Sequence, residues 1–262
     1  MRLVGAVAMW LFAALMLTPL LWMATTSLTP EKDAAASFRL IPERPTLEHY
    51  AAIFGKAEEF PVARWFGNSL FVSLTVTALV SLVASTAAYA FARLKFPGRD
   101  GLFLAVVGTM AVPSQVSLIP VFLIVQRLGL FNTYFGLILP GLAGAFGVFL
   151  LRQFFASIPH ELEEAAFLDG AGHGTIFARV VLPLAKPALA TLAIFTFMGS
   201  WNDFVWPLIA TSDLDMRTLP VGLSVFQGRY TLEYGLTMAA AMLTTLPLLI
   251  AFLVFQKRIV EG

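Results

Sequence analysis

The amino-acid sequence predicts an all-α, polytopic membrane protein with six transmembrane helices. Three observations carry that expectation. Hydrophobic residues make up 58% of the 262 and charged residues 13%, against roughly 25% charged in soluble domains. Six apolar runs approach the roughly 20 residues that a bilayer crossing requires. The breaks between those runs are where charges, Gly and Pro collect. Cysteine is absent from all 262 residues, so neither a disulfide framework nor a thiolate metal site can form. His49, His160 and His173 are scattered, and no metal cluster is expected from them.

Taken in order, the first run is Leu3–Ser27. It follows Arg2 but exceeds the roughly 7–15 residues of a signal-peptide apolar region and lacks a small-residue cleavage site, so it reads as a retained span. The others are Phe66–Ala92, Gly101–Val125, Tyr134–Leu151, Pro187–Ala210 and Thr237–Phe255. The connections "RLKFPGRD" (93–100) and "QRLGLFNT" (126–133) are short, so the second, third and fourth runs should be neighbours. The first connection carries three basic residues and the second one. Short loops dominate the positive-inside rule, which places both termini in the cytoplasm. Residues 29–65 then form an external loop, and 152–186 the largest internal loop, within a single transmembrane domain spanning 1–262.

That internal loop holds "EEAAFLDGAG" (163–172). Pro159 suits a first helical turn, the acids 161, 163 and 164 suit the positive helix N-terminus, and Gly170 suits the left-handed position past a helix end. A helix over 160–169 follows. Helical spacing puts Leu162, Ala165 and Ala166 on one face and Glu161, Glu164 and Leu168 on another. The segment reads either as a solvated or membrane-lying loop helix, or as a knob for a groove on a partner. Its acidity argues against the membrane surface, because interfacial helices are rich in Lys and Arg.

Within the runs, Asn68, Ser114, Gln115, Ser117, Asn202 and Asp203 are polar. As a group, those beside Pro113 are the candidates for lining a pathway, and packing between helices is the other reading. Asp203 lies about 10 Å from the outer end of its run at 1.5 Å per residue. It either pairs or caps locally or faces a cavity. Gly141, Gly144 and Gly147 make a small-residue stripe suited to helix packing. No G-x-x-x-x-G-K-[ST] loop is present, so nucleotide hydrolysis by this chain is not expected. A self-sufficient ion-coupled transporter would need acids deep in the spans, and only Asp203 is available.

Glu164-Ala165-Ala166, Gly170 and Val180-x-Leu182-Pro183 stand at the spacing of the EAA signature. The chain resembles the permease subunits of binding-protein-dependent ABC importers. "VPSQVSLIP" (112–120), "GLFNTYFGLILP" (129–140), "WNDFVWPL" (201–208) and "LPLLIAFLVFQKRIVEG" (246–262) resemble the carbohydrate-uptake branch, and are similar to the second permease subunit of maltose-type importers. Val180 replaces the usual isoleucine, and the Gly-rich tail common after "VEG" is not in this sequence.

The resemblance implies a type I ABC importer permease fold and a role in sugar import, or import of another solute such as glycerol 3-phosphate. It implies no catalytic residue, no resident metal and no cofactor on this chain, with ATP and Mg held by partner ATPases. Glu161, Glu164, Ala165, Ala166, Asp169 and Gly170 would form the coupling helix. Phe226, Gln227 and Tyr230, in the outer loop 211–236, would meet the binding protein. The implied partners are a second permease in a heterodimer, two ATPase subunits, an extracytoplasmic solute-binding protein and membrane lipids. Nucleic acid is not among them. The implied location is a prokaryotic cytoplasmic membrane.

Overall fold

The computed structural model describes residues 2–34, 41–55, 58–229 and 233–260. Among these residues the regular structure is helical and no strand occurs. In chain order the helices are α1 (Arg2–Ser27), α2 (Glu31–Ala34), α3 (Glu48–Gly55), α4 (Val62–Arg93), α5 (Arg99–Gly108) and α6 (Ser114–Arg127). They continue with α7 (Tyr134–Ile138), α8 (Ala145–Ser157), α9 (Glu161–Leu168), α10 (His173–Ile176) and α11 (Leu182–Leu184). Last come α12 (Lys186–Trp201), α13 (Val205–Ala210), α14 (Leu219–Arg229) and α15 (Tyr234–Val260).

The chain forms two compact units, one from residues 1–67 and 217–251, the other from 68–216 with 252–262. In the first unit, Trp65 is fully buried, and a side chain at Gly222 would overlap its indole ring. Glycine is therefore what lets α14 approach so closely. Gly235 likewise lies against the imidazole of His49. Glu31 accepts hydrogen bonds from the first backbone amides of α15, Tyr234 N at 2.7 Å and Gly235 N at 3.0 Å. This satisfies donors that the helix itself cannot pair. His49 Nε2 donates to the Thr29 carbonyl at 2.8 Å, since a carbonyl can only accept.

The second unit is organised around α4. Val72, Val76, Val80, Ala84, Ala88 and Tyr89 are buried, while Phe71, Leu74, Leu82 and Val83 are exposed. From Val72 to Ala88 the buried set recurs every four residues, with Tyr89 beside its end, which is one stripe of a helix. Its N-terminal half packs with Leu137, Ile138 and Ala210, and its C-terminal half with Leu151, Phe155, Ile176, Val181 and Leu192. At Gly147 a Cβ would meet the Ala84 Cβ at 3.0 Å and Leu192 Cδ1 at 3.1 Å, so α4, α8 and α12 close on that position. Of the glycine stripe, Gly141 faces Val76 at ordinary contact distance and Gly144 faces open space.

Among the described residues two helices, α1 from Gly5 and α4, are long and apolar enough to cross a membrane unbroken. The expected third and fourth runs are broken instead. The helical stretch 99–111 and α6 meet at 101°, and the stretches 134–142 and α8 at 45°. Pro113 lies in the first break, where its ring removes a backbone donor and excludes the α conformation from Val112, which is extended at φ −84°, ψ 117°. The fifth run breaks between α12 and α13, and the segment 173–184 meets α12 at 78°.

Candidate functional site

The acidic helix forms one residue short of the expected 160–169 at each end, as α9. Ile158 is extended (ψ 130°) because Pro159 follows it. His160 then starts the helical turn. At the other end Gly170 adopts φ +81°. Its amide donates to the Phe167 carbonyl at 3.0 Å, and the Ala171 amide donates to the Ala166 carbonyl at 3.0 Å. This pair of bonds is the Schellman closure, which needs a left-handed residue just past the helix.

Only part of the Leu162, Ala165 and Ala166 face packs inward. Glu163 is 5% exposed, and Ala166 packs half-buried against the core of the second unit. Leu162 and Ala165, expected on the same face as Ala166, are exposed. The reason is Arg93, the last residue of α4. Its Nε lies 2.7 Å from Glu163 Oε1, with side chains 2% and 7% exposed. Neither atom has an aligned hydrogen bond, so the contact is a close ion pair. Arg93 Nη2 donates to the Ile158 carbonyl at 2.6 Å, and Nη1 donates to His160 Nε2 at 2.8 Å. The same Nη1 lies 3.2 Å from His160 Nδ1, so the guanidinium, which can only donate, bears on the edge of the ring. From the sequence Glu163 reads only as a charge favouring the helix N-terminus. The signal that could have found its role is its place three residues before Ala166.

What α9 presents outward is mixed. Glu161, Glu164, Ala165 and Asp169 are exposed, Phe167 is 43% exposed and Leu168 90%. The exposed surface of α9 thus combines apolar side chains with three carboxylates. Behind it the chain widens into a π-turn over Phe177–Val181. That turn lies just ahead of Pro183, which cannot supply the usual helical donor. Phe177 meets Tyr89 of α4 with ring centres 5.1 Å apart.

The other candidate residues fall elsewhere. Asn68 is buried, donates to the Asp215 carbonyl at 2.7 Å and accepts from the Tyr134 hydroxyl at 2.7 Å. Asp203 is half-buried, and its carboxylate accepts from the Trp206 amide at 3.3 Å, at the start of α13. Asn202 beside it is exposed. Ser114, Gln115 and Ser117 lie exposed on the first turn of α6, where Ser114 Oγ reaches Gln115 Oε1 at 3.5 Å. Phe226 and Gln227 belong to α14, but their side chains, and all of Tyr230, lie outside the described residues. Among the described residues no group of three or more His, Asp or Glu gathers as a metal site.

Known proteins match this arrangement along almost the whole chain. The diacetylchitobiose uptake system permease protein NgcG of Streptomyces coelicolor is 35% identical over 95% of this chain and 83% of its own length. The trehalose/maltose transport system permease protein MalG of Thermococcus litoralis is 34% identical over 99% of this chain and 92% of its own. A chain in the crystal structure of a bacterial ABC transporter involved in the import of the acidic polysaccharide alginate superposes with a TM-score of 0.84. It is 26% identical, with 98% of this chain and 95% of that chain covered. The all-α permease fold expected from the sequence is therefore the fold observed. Residues 81–261, from the middle of α4 through α9 to the end of α15, match the family described as binding-protein-dependent transport system inner membrane component, and this chain belongs to that family.

Proposed function

We propose that this chain is one of two permease subunits of an ATP-driven sugar importer, and that α9 is the element through which a cytoplasmic ATPase drives it. The observation that carries the reading is the surface of α9. Leu168 is 90% exposed on the face of Glu161 and Glu164, Phe167 is 43% exposed with its ring against His173, and Asp169 is exposed, on a helix whose far end is closed at Gly170. A basic groove on the ATPase would accept this surface. One charge-assisted contact to Glu164 would contribute about 1.5–3 kcal/mol.

In this reading the chain crosses the membrane six times, the broken pairs counting as single spans, with both termini in the cytoplasm. A second, related permease completes the pathway, two ATPase subunits hold ATP and Mg, and an extracytoplasmic binding protein delivers the solute. Rotation of the ATPases moves α9, and the spans rock between inward-open and outward-open states. The relatives that take up diacetylchitobiose and trehalose or maltose support a sugar as the solute.

The test is recovery of the ATPase from a co-expressed complex. Glu164→Arg reverses an exposed charge and Gly170→Pro forbids the left-handed closure. Both should release the ATPase while the membrane subunits stay together. Full retention in both variants would overturn the docking role. Uptake assayed with labelled trehalose, maltose and glycerol 3-phosphate separates a sugar from a phosphate ester.

A further inference from the structure

Arg93 closes α4 onto the start of α9 at three points. It holds the Ile158 carbonyl just ahead of α9, the His160 imidazole at its cap and the Glu163 carboxylate in its first turn. A guanidinium presents its donors in a fixed planar fork, so three simultaneous contacts admit one orientation of α9 about the end of α4. An apolar contact would let the two helices slide. Two buried charges will not, because each left alone would be stranded away from water. Tyr89, one turn earlier on α4, meets Phe177 in a tilted ring contact and so holds the following segment to the same helix end.

We infer that Arg93 and Glu163 are positioning residues for coupling: they lock α9 to α4, so that a displacement imposed on α9 turns α4 with it. The inference rests on the proposed docking of α9 to an ATPase. It differs in naming residues that face inward and never meet the ATPase. Energy coupling would then depend on a buried pair that the docking surface does not include.

The experiment uses the full co-expressed complex. This chain has no cysteine, so Leu82→Cys on the exposed face of α4 and Leu162→Cys on the flank of α9, combined with partner subunits cleared of accessible cysteine, can be spin-labelled selectively. Pulsed electron resonance gives the distance between the labels, without nucleotide and with Mg-ATP and vanadate. With Arg93 and Glu163 intact, the distance should be the same in both states. In Glu163→Gln the ATPase should still co-purify, but the distance should broaden and shift when nucleotide is trapped. Arg93→Lys keeps the charge and loses the fork, and should show the same shift, which keeps the test open if Glu163→Gln does not assemble. Unchanged distances in both variants, with the ATPase retained, would overturn the inference. Failure of the parent complex to retain the ATPase would instead overturn the docking reading, and the inference with it.

Discussion

The hydroxyl of Tyr134, the first residue of α7, donates to Asn68 Oδ1 on α4 at 2.7 Å. The amide nitrogen of Asn68 in turn donates to the Asp215 carbonyl at 2.7 Å. One buried amide therefore joins three separated segments of the second unit. Tyr134→Phe removes one of these bonds and should cost about 0.5–1.5 kcal/mol. Asn68→Leu removes both, so it should cost more than Tyr134→Phe. Thermal unfolding of the purified complex checks the order, and equal midpoints for the two variants would show that the amide is not the joint.

Gly147 and Gly144 make a matched pair. A side chain at Gly147 enters contact with Ala84 and Leu192, whereas one at Gly144 meets nothing. Gly147→Val should destabilise by about 1–3 kcal/mol through overpacking, and Gly144→Ala should be close to neutral. Yield and melting temperature of the two variants test this, with similar behaviour counting against a close helix approach at Gly147.

Gly170 holds φ +81° with no neighbour near its Cα to crowd a side chain. The constraint there is conformational and not steric. Gly170→Ala should cost about 1–2 kcal/mol, the penalty of a left-handed L-residue, and Gly170→Asn should cost less because Asn tolerates that region. If Asn proved worse than Ala in ATPase retention, the closure at Ala166 and Phe167 would not be what Gly170 provides.

Asp203 offers a way to separate two roles by one substitution. Its carboxylate accepts from the Trp206 amide, and the side-chain carbonyl of Asn can do the same. Asp203→Asn should therefore leave stability unchanged, while Asp203→Leu should lose a cap worth about 0.5–2 kcal/mol. Uptake lost in an assembled, stable Asp203→Asn complex would assign the charge to the pathway rather than to the start of α13.

Glu31 caps α15 through two amides, Tyr234 and Gly235. Glu31→Ala should weaken the first unit by about 0.5–2 kcal/mol. Glu31→Gln keeps one acceptor and should lie between the parent and Glu31→Ala. Limited proteolysis within residues 1–67 reports the loss.

Much of this protein was legible in order along the chain, because the determining physics is local. Apolar length set α1 and α4. Pro159, the acids after it and Gly170 set both ends of α9, since a proline, the helix dipole and a positive φ act within a turn. Spacing alone carried the family resemblance. What the chain order could not give is which face of α9 turns inward. Helical periodicity groups Leu162, Ala165 and Ala166 on one face without saying which side packs inward. The fold brings Arg93 to the start of α9 from 70 residues away, and a buried guanidinium must be paired, so the acid Glu163 goes inside. The breaks at Pro113 and between α12 and α13 were hidden for a similar reason. Composition counts apolar residues, but whether a helix continues through a proline or bends depends on what packs against it. The sequence by itself determined the membrane class, the element order and the caps; tertiary contacts over long separations decided the bends, the inward face of α9 and the residues that hold it.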